Sequence, residues 1–241
     1  MSDSQTLARP LAARIAGLVD SQALPEPNVN AAVSEGVAQA AAQAMAEGHT
    51  HYTDRPGILP LRTQVVASLG EQYGVELSAD EITITCGAIE GRFVAVKQLT
   101  TPGSKILCAG EGAAITVAAH LMNVTLTSNP SDEGIVLVYL TPSDDPSRRT
   151  ACLSQAAQNG WWIVWDAAAG RRDDRFHPAQ NPSLAAKTVT LGEIAELSGW
   201  RVGWMAGSSA ANKLRAFKQS MTICTTSISQ WAALGLKGNL I

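Results

Sequence analysis

Hydrophobic and polar positions follow two different periods along the chain. Residues 30–47 carry small and apolar residues at helical spacing without a proline, and residues 59–74 show an amphipathic helical pattern, so both segments predict helices. From residue 82 onward, short apolar or β-branched runs alternate with helical segments. We predict strands in the runs at 82–86, 105–109, 123–127, 135–140, 161–166, 187–192 and 201–207.

This alternation predicts the fold class. The run IVLVYL at 135–140 is continuously apolar, which is typical of a strand that is buried on both faces. Helices between such strands cover both faces of a mainly parallel sheet. We therefore expect a three-layer α/β/α sandwich around a seven-stranded, mainly parallel sheet. Residues 1–241 should form a single domain, with residues 1–29 as an N-terminal extended or helical segment.

Composition narrows the classes of function. The chain has 241 residues, and its 18 basic and 21 acidic residues give a net charge of −3, so no basic excess points to nucleic acid or to an anionic membrane surface. Residues 1–10 lack a signal-peptide core, and no run approaches the roughly 20 apolar residues of a membrane span. We therefore expect a cytoplasmic protein. Four scattered cysteines without a CxxC pair predict no metal site.

Residues that directly follow the predicted strands are candidate ligand contacts, because ligands bind outside the carboxyl ends of parallel strands. Gly87 opens a helix after the first strand, and the free N–H groups of Ala88 and Ile89 would favour a small anion such as phosphate. Asp166 follows another strand, where either a capping role or a ligand contact is open. Arg201 begins an apolar strand and therefore needs a charged partner nearby.

The order of these motifs resembles the large domain of class I/II aminotransferases, which are fold type I enzymes that use pyridoxal phosphate (PLP). The resemblance runs from about residue 25 to residue 235. It implies a homodimer, because this family builds its sites at a subunit interface, with the segment around Tyr52 reaching across. The segments that carry it are Tyr52…Gly57…Leu61-Arg62, Thr85-Cys86-Gly87-Ala88, Pro102-Gly103-Ser104-Lys105-Ile106-Leu107, Asp166 and Gly199-Trp200-Arg201-Val202-Gly203.

The resemblance also implies roles for single residues. Gly87–Ile89 and Arg201 match the family's contacts to the cofactor phosphate, and Asp166 matches the aspartate that contacts the pyridinium nitrogen. Tyr52 matches a tyrosine of the site. Asp144 stands where the family carries an asparagine that contacts the cofactor.

Several departures from the family pattern bear on activity. The Schiff-base lysine position, eight residues before Arg201, is Glu193, and a glutamate cannot form an aldimine. Ala169 replaces the tyrosine that hydrogen-bonds the phenolic oxygen of the cofactor, and the position of the ring-stacking aromatic falls near Ala113. Because the printed sequence ends at Ile241, we expect the small C-terminal domain and its carboxylate-binding arginine to be absent.

These features leave three hypotheses about function. The first is a degenerate aminotransferase-like protein without ordinary transaminase activity and without a covalently bound cofactor. The second is non-covalent binding of PLP or pyridoxamine phosphate, with Glu193 available to move a proton. The third is a dimeric interaction module. Glu193, Asp144 and Asp166 are expected at one rim. They form either a cluster that raises the pKa of at least one carboxyl or recruits Arg201 or a metal, or a set of ordinary solvated charges.

Overall fold

The computed structural model describes residues 32–170 and 175–241, so the N-terminal segment predicted for residues 1–29 lies outside the described residues. The single-domain prediction for residues 1–241 therefore stays a prediction. The described helices are α1 (Glu35–Ala46), α2 (Leu59–Tyr73), α3 (Gly87–Leu99), α4 (Thr116–Leu121), α5 (Pro146–Asn159), α6 (Pro182–Ala185), α7 (Ala211–Thr222) and α8 (Ser227–Ala233). Segments of 3-10 helix lie at Ala79–Glu81, Ala113–Ile115, Pro178–Gln180 and Ala195–Trp200.

Seven strands form one sheet in the order β1-β7-β6-β5-β4-β2-β3. Strand β7 pairs antiparallel with both of its neighbours, and the other pairs are parallel. The prediction of a seven-stranded, mainly parallel sheet is confirmed. The strands are β1 (Ile82–Cys86), β2 (Lys105–Cys108), β3 (Thr125–Thr127), β4 (Ile135–Leu140), β5 (Trp162–Asp166), β6 (Thr188–Glu193) and β7 (Val202–Ala206).

Helices cover both faces of this sheet, because successive side chains of a strand point to opposite sides. In β4, Leu137 and Tyr139 join a core cluster that contains residues of α3, α4 and α7. Val138 and Leu140 of the same strand join a cluster with residues of α5 and α6 on the other side. Residues of α1, α2 and α8 pack against β1 and β7 in a third cluster. The chain thus builds the predicted three layers.

The register of β7 determines which residues meet at the carboxyl edge of the sheet. Val202 at the start of β7 pairs with Cys86 at the end of β1. Gly203 pairs with Glu193 at the end of β6. Because β7 runs antiparallel to both neighbours, the residue that precedes it lies beside the ends of β1 and β6. Arg201, Glu193 and Gly87 therefore come together although they are distant in sequence.

Three helices differ from the sequence-based expectation. The run TACLSQAAQN at 150–159 predicts a helix, but helix α5 begins earlier, at Pro146. The Asp145 side chain caps the N–H groups of Ser147 and Arg148, and proline suits the first helical position. The run EGAAITVAAHLM at 111–122 predicts a helix, but α4 is shorter, since the turn before it is 3-10 helix. Helix α8 was not predicted. It is seven residues long and rich in serine, and its packing in the core stabilises it rather than intrinsic propensity.

His177 is a buried neutral histidine in the segment before β6. Its Nδ1 atom accepts a hydrogen bond from the Ala179 N–H at 3.1 Å, so its Nε2–H donates to the Thr190 hydroxyl at 2.9 Å. Burial lowers the pKa of His177 from 6.5 to about 3. The unfolded chain therefore takes up a proton near pH 6.5, whereas the folded protein takes it up only near pH 3.

We expect this difference to make the folded protein acid-sensitive. The stability that neutral His177 contributes above pH 6.5 should be lost as the pH falls toward 3, by at most about 1.4 kcal/mol per pH unit. Urea denaturation of the wild type and of His177→Gln at pH 7, 6, 5 and 4.5 measures it. The stability advantage of the wild type over the variant should shrink at each step. A constant advantage across this range would rule out the histidine as its source.

Candidate functional site

The first turn of α3 forms one wall of the candidate site. Gly87 has a φ of 72°, which favours glycine. A Cβ at this position would lie 2.0 Å from Nη2 of Arg201, so a larger residue would displace the guanidinium. The helix start offers free N–H groups and a partial positive charge. We call Gly87–Ile89 together with Arg201 the anion cradle, because both parts attract negative charge.

Arg201 lies beside this helix start because of its backbone conformation and two hydrogen bonds from its guanidinium. It does not begin β7, as the sequence suggested, but precedes that strand in a left-handed conformation with φ 55° and ψ 52°. Its Nη1 donates to the Ser198 carbonyl at 3.1 Å, and its Nη2 donates to the Cys86 carbonyl at 3.4 Å. The charged partner expected for it is Glu193, whose Oε2 lies 4.0 Å from Nη1.

Glu193 places its carboxylate in the anion cradle. Its Oε2 accepts a hydrogen bond from the Ala88 N–H at 3.0 Å. Gly192, just before it, lies against the Trp204 ring so closely that a Cβ would be 2.2 Å from ring atoms, which fixes the end of β6. On another side Glu193 borders an open cavity of about 430 Å³. The negative charge that the cradle favours is thus supplied by the protein itself.

Asp166 lies at the end of β5 and is fully buried. Its Oδ2 accepts from Nε of Arg92 and from the Tyr139 hydroxyl, both at 2.6 Å. Its Oδ1 accepts from Nη2 of Arg92 at 3.3 Å and from the Ala168 N–H at 3.2 Å. The sequence left a capping role and a ligand contact open for Asp166. In the structure the bond from the Ala168 N–H caps a turn, and the other three bonds hold an internal ion pair.

The charges in this group are fixed by their neighbours. Burial opposes the charge of Arg92, but the Asp166 carboxylate outweighs burial, so the pKa of Arg92 is raised above its usual value. Burial and the nearby Asp166 raise the pKa of Tyr139 well above 10. Arg92 is therefore a cation and Tyr139 a neutral hydrogen-bond donor. The negative charge of Glu193 also favours the charged form of Arg92.

Sequence reasoning did not find Arg92 or Tyr139. Both lie within apolar segments, the first in GRFVAV of α3 and the second in IVLVYL of β4. The signal that could have found them is a single charged or hydroxyl-bearing residue among apolar ones, because a buried polar group requires a partner. The chain position of that partner is not visible in the local pattern.

Two predicted contact residues lie apart from the anion cradle. Asp144 turns into its own loop, where its Oδ2 accepts from the Thr141 N–H at 2.7 Å and its Oδ1 lies against Gly110. Tyr52 is 79% exposed in the loop after α1. The three carboxylates expected at one rim thus have separate partners: Glu193 accepts from Ala88, Asp166 from Arg92 and Tyr139, and Asp144 from Thr141.

Two further findings concern only residues 32–170 and 175–241. No three histidine, cysteine, aspartate or glutamate side chains in these segments come close enough together to hold a metal ion. None of the helices that the structure describes combines the length and the apolar character that crossing a membrane would require.

Comparison with known proteins identifies the fold. The arginine–pyruvate transaminase of Pseudomonas aeruginosa is 24% identical over 219 residues, and the probable aspartate aminotransferase of Methanocaldococcus jannaschii is 24% identical over 237 residues. The structure of the aspartate aminotransferase from Rhizobium meliloti superposes with a TM-score of 0.76 over 97% of this chain and 68% of that one, at 22% identity. The fold is that of the class I/II aminotransferases of fold type I.

The resemblance to this aminotransferase family, inferred from the motifs, is confirmed at the level of fold. The matches to the Pseudomonas and Methanocaldococcus proteins cover 78% and 84% of this chain. They cover 55% and 63% of those relatives, so the chain spans less than two thirds of their length. No family model matches the chain. The comparisons therefore establish the fold of this chain.

PLP is the cofactor that the aminotransferase fold implies. Whether it fits can be tested on the groups that would hold its phosphate and its ring nitrogen. The anion cradle has the chemistry to bind a phosphate, and Asp166 has the chemistry to bind a protonated ring nitrogen. Both contacts are already made within the protein, by Glu193 in the first case and by Arg92 with Tyr139 in the second. As arranged, these residues do not fit the cofactor.

Proposed function

We propose that this protein is a degenerate member of the aminotransferase fold that does not catalyse ordinary transamination and holds no covalently bound cofactor. One observation carries the proposal. The side chain at the position matching the Schiff-base lysine is Glu193, and its carboxylate accepts a hydrogen bond from Ala88. A carboxylate supplies no amine for a covalent bond to an aldehyde, and here it also fills the cradle that a phosphate would require.

Glu193 instead has a structural role at the carboxyl edge of the sheet. Its charge lies at the N-terminus of α3 and 4.0 Å from Arg201, so it offsets two positive groups that would otherwise face each other. Because both side chains are partly exposed, at 28% and 38%, their direct ion pair contributes little to stability. The hydrogen bond to the helix start is the stronger contact.

Neither Lys187 nor Lys218 offers an obvious replacement for the missing amine. Lys187 precedes β6, at the strand end opposite Glu193. Lys218 lies fully buried on α7, where burial lowers the pKa of its amine, although Glu90 acts in the opposite direction. A lysine that is closed to solvent cannot meet an aldehyde without an opening of the fold.

We also propose that the protein acts as a homodimeric interaction module. The family resemblance implies a dimer that uses the segment around Tyr52. Tyr52, Leu59 and Ile89 are large apolar side chains with exposed fractions of 79%, 53% and 56%, and Ile89 belongs to the anion cradle. These exposed apolar side chains are the candidates for contact with the partner subunit.

The proposal predicts that PLP forms no specific reducible adduct with the wild-type protein. The protein is incubated with PLP, treated with borohydride and mapped by peptide mass spectrometry. Amino-group transfer to a 2-oxo acid is assayed in parallel, with an active aminotransferase as positive control. We expect scattered, substoichiometric lysine labelling and no transfer above background. Stoichiometric labelling of one lysine, or transfer that depends on PLP, would overturn the proposal.

A further inference from the structure

The carboxylate of Asp166 has no hydrogen-bonding capacity left for an added ligand. An ionised carboxylate offers about four acceptor sites. Asp166 uses four, for two bonds from Arg92, one from Tyr139 and one from Ala168. A protonated ring nitrogen could reach this carboxylate only after one of these donors had left.

Arg92 is the donor that would have to leave. It is the only one of the three whose side chain enters from another layer, since Tyr139 comes from the neighbouring strand and Ala168 contributes its backbone. Its guanidinium makes a two-point contact, with donor–acceptor distances of 2.6 Å and 3.3 Å. A ring nitrogen would replace two charge-assisted bonds with one, so the exchange is unfavourable.

Glu193 occupies the contact that the phosphate of a cofactor-like ligand would need, and Arg92 occupies the contact that its ring nitrogen would need. Arg92 lies five residues after Gly87 on α3, so one helix carries both the anion cradle and the group that engages Asp166. Glu193 favours the charged form of Arg92. The two internal contacts use different donors and acceptors, so removing one leaves the other in place.

We propose that Arg92 is a specificity-determining residue that excludes phosphate-bearing pyridine ligands from Asp166, independently of the exclusion by Glu193. The inference rests on the proposed function, because it gives a second reason for the absence of a bound cofactor. Restoring the lysine alone would leave Asp166 engaged. Two substitutions, one at each end, are needed for both the phosphate and the ring nitrogen of such a ligand to find their contacts.

Pyridoxamine 5′-phosphate tests the inference, because it lacks an aldehyde and its binding needs no lysine. Calorimetric titrations compare the wild type, Arg92→Gln, Glu193→Gln and the double variant. Glutamine keeps a hydrogen-bond donor for Asp166 while removing the charge and the two-point contact. We expect no detectable binding to the wild type and at least tenfold tighter binding to the double variant than to Glu193→Gln. Inorganic phosphate, the control ligand, should bind the double variant and Glu193→Gln equally.

Equal affinity of the double variant and Glu193→Gln for pyridoxamine 5′-phosphate would overturn the inference. Failure of the proposed function would appear separately, as lysine labelling of the wild type by PLP and borohydride. If Arg92→Gln does not fold, nitrogen-15 NMR of the arginine Nε–H groups in the wild type replaces it. The Arg92 signal should not shift when pyridoxamine 5′-phosphate is added, and a saturable shift would contradict the proposal.

Discussion

Replacing Arg92 by methionine is expected to lower the free energy of unfolding by about 3–5 kcal/mol. Methionine preserves much of the apolar stem but removes the guanidinium. Asp166, which is fully buried, would then keep only the donors Tyr139 and Ala168. Removing one partner of a buried pair leaves an uncompensated charge in a medium of low dielectric constant, and that is the main cost.

Urea denaturation at pH 7 measures this effect in a double-mutant cycle. The four proteins are the wild type, Arg92→Met, Asp166→Asn and the double variant, which should lose less than the sum of the single losses. Arg148→Met is the matched control, because Arg148 is an exposed arginine on α5, and it should change stability by about 0.5 kcal/mol or less. Additive losses, or a small loss for Arg92→Met, would show that the pair is not coupled.

Replacing Glu193 by lysine is expected to convert phosphate into a stabilising ligand. The variant would place an amine beside Arg201 and the start of α3, so three positive groups would face one another without an anion. Phosphate relieves that repulsion. At a phosphate concentration about a hundred times its Kd, binding adds about 2.7 kcal/mol to the free energy of unfolding.

Denaturation at increasing phosphate concentration, with chloride keeping the ionic strength constant, measures this stabilisation. Glu193→Gln serves as the control that removes the charge without adding an amine, and its stabilisation should lie between those of the lysine variant and the wild type. The wild type should respond only weakly, because its own carboxylate occupies the cradle. The same phosphate response in all three proteins would place the anion elsewhere.

The sequence was sufficient to predict the sheet and the edge at which the site lies. Alternating strands and helices predicted seven strands. The rule that ligands bind beyond strand ends selected Gly87 and Asp166, and the need of a charged residue in an apolar run for a partner selected Arg201. Two of these three, Gly87 and Arg201, lie together with Glu193 in the structure. Periodicity and turn chemistry are local properties, so they report on such elements reliably.

The partners of these residues could not be predicted in the same way. Arg92 and Asp166 are 74 residues apart, and Ala88 and Glu193 are 105 residues apart. Which pairs meet depends on the order of the strands and on the antiparallel direction of β7, neither of which the local pattern encodes. The sequence indicated that the lysine was missing, but only the fold reveals that the substituting carboxylate engages the helix start.

A crystal structure of the wild-type protein grown from phosphate tests the central claim most directly. The claim is that the carboxylate of Glu193 takes the place of an external anion at the start of α3. The account predicts that this carboxylate remains within hydrogen-bonding distance of the Ala88 N–H, beside Arg201, with no tetrahedral density on Gly87–Ile89. A well-ordered phosphate on these N–H groups, with Glu193 turned into solvent, would contradict it.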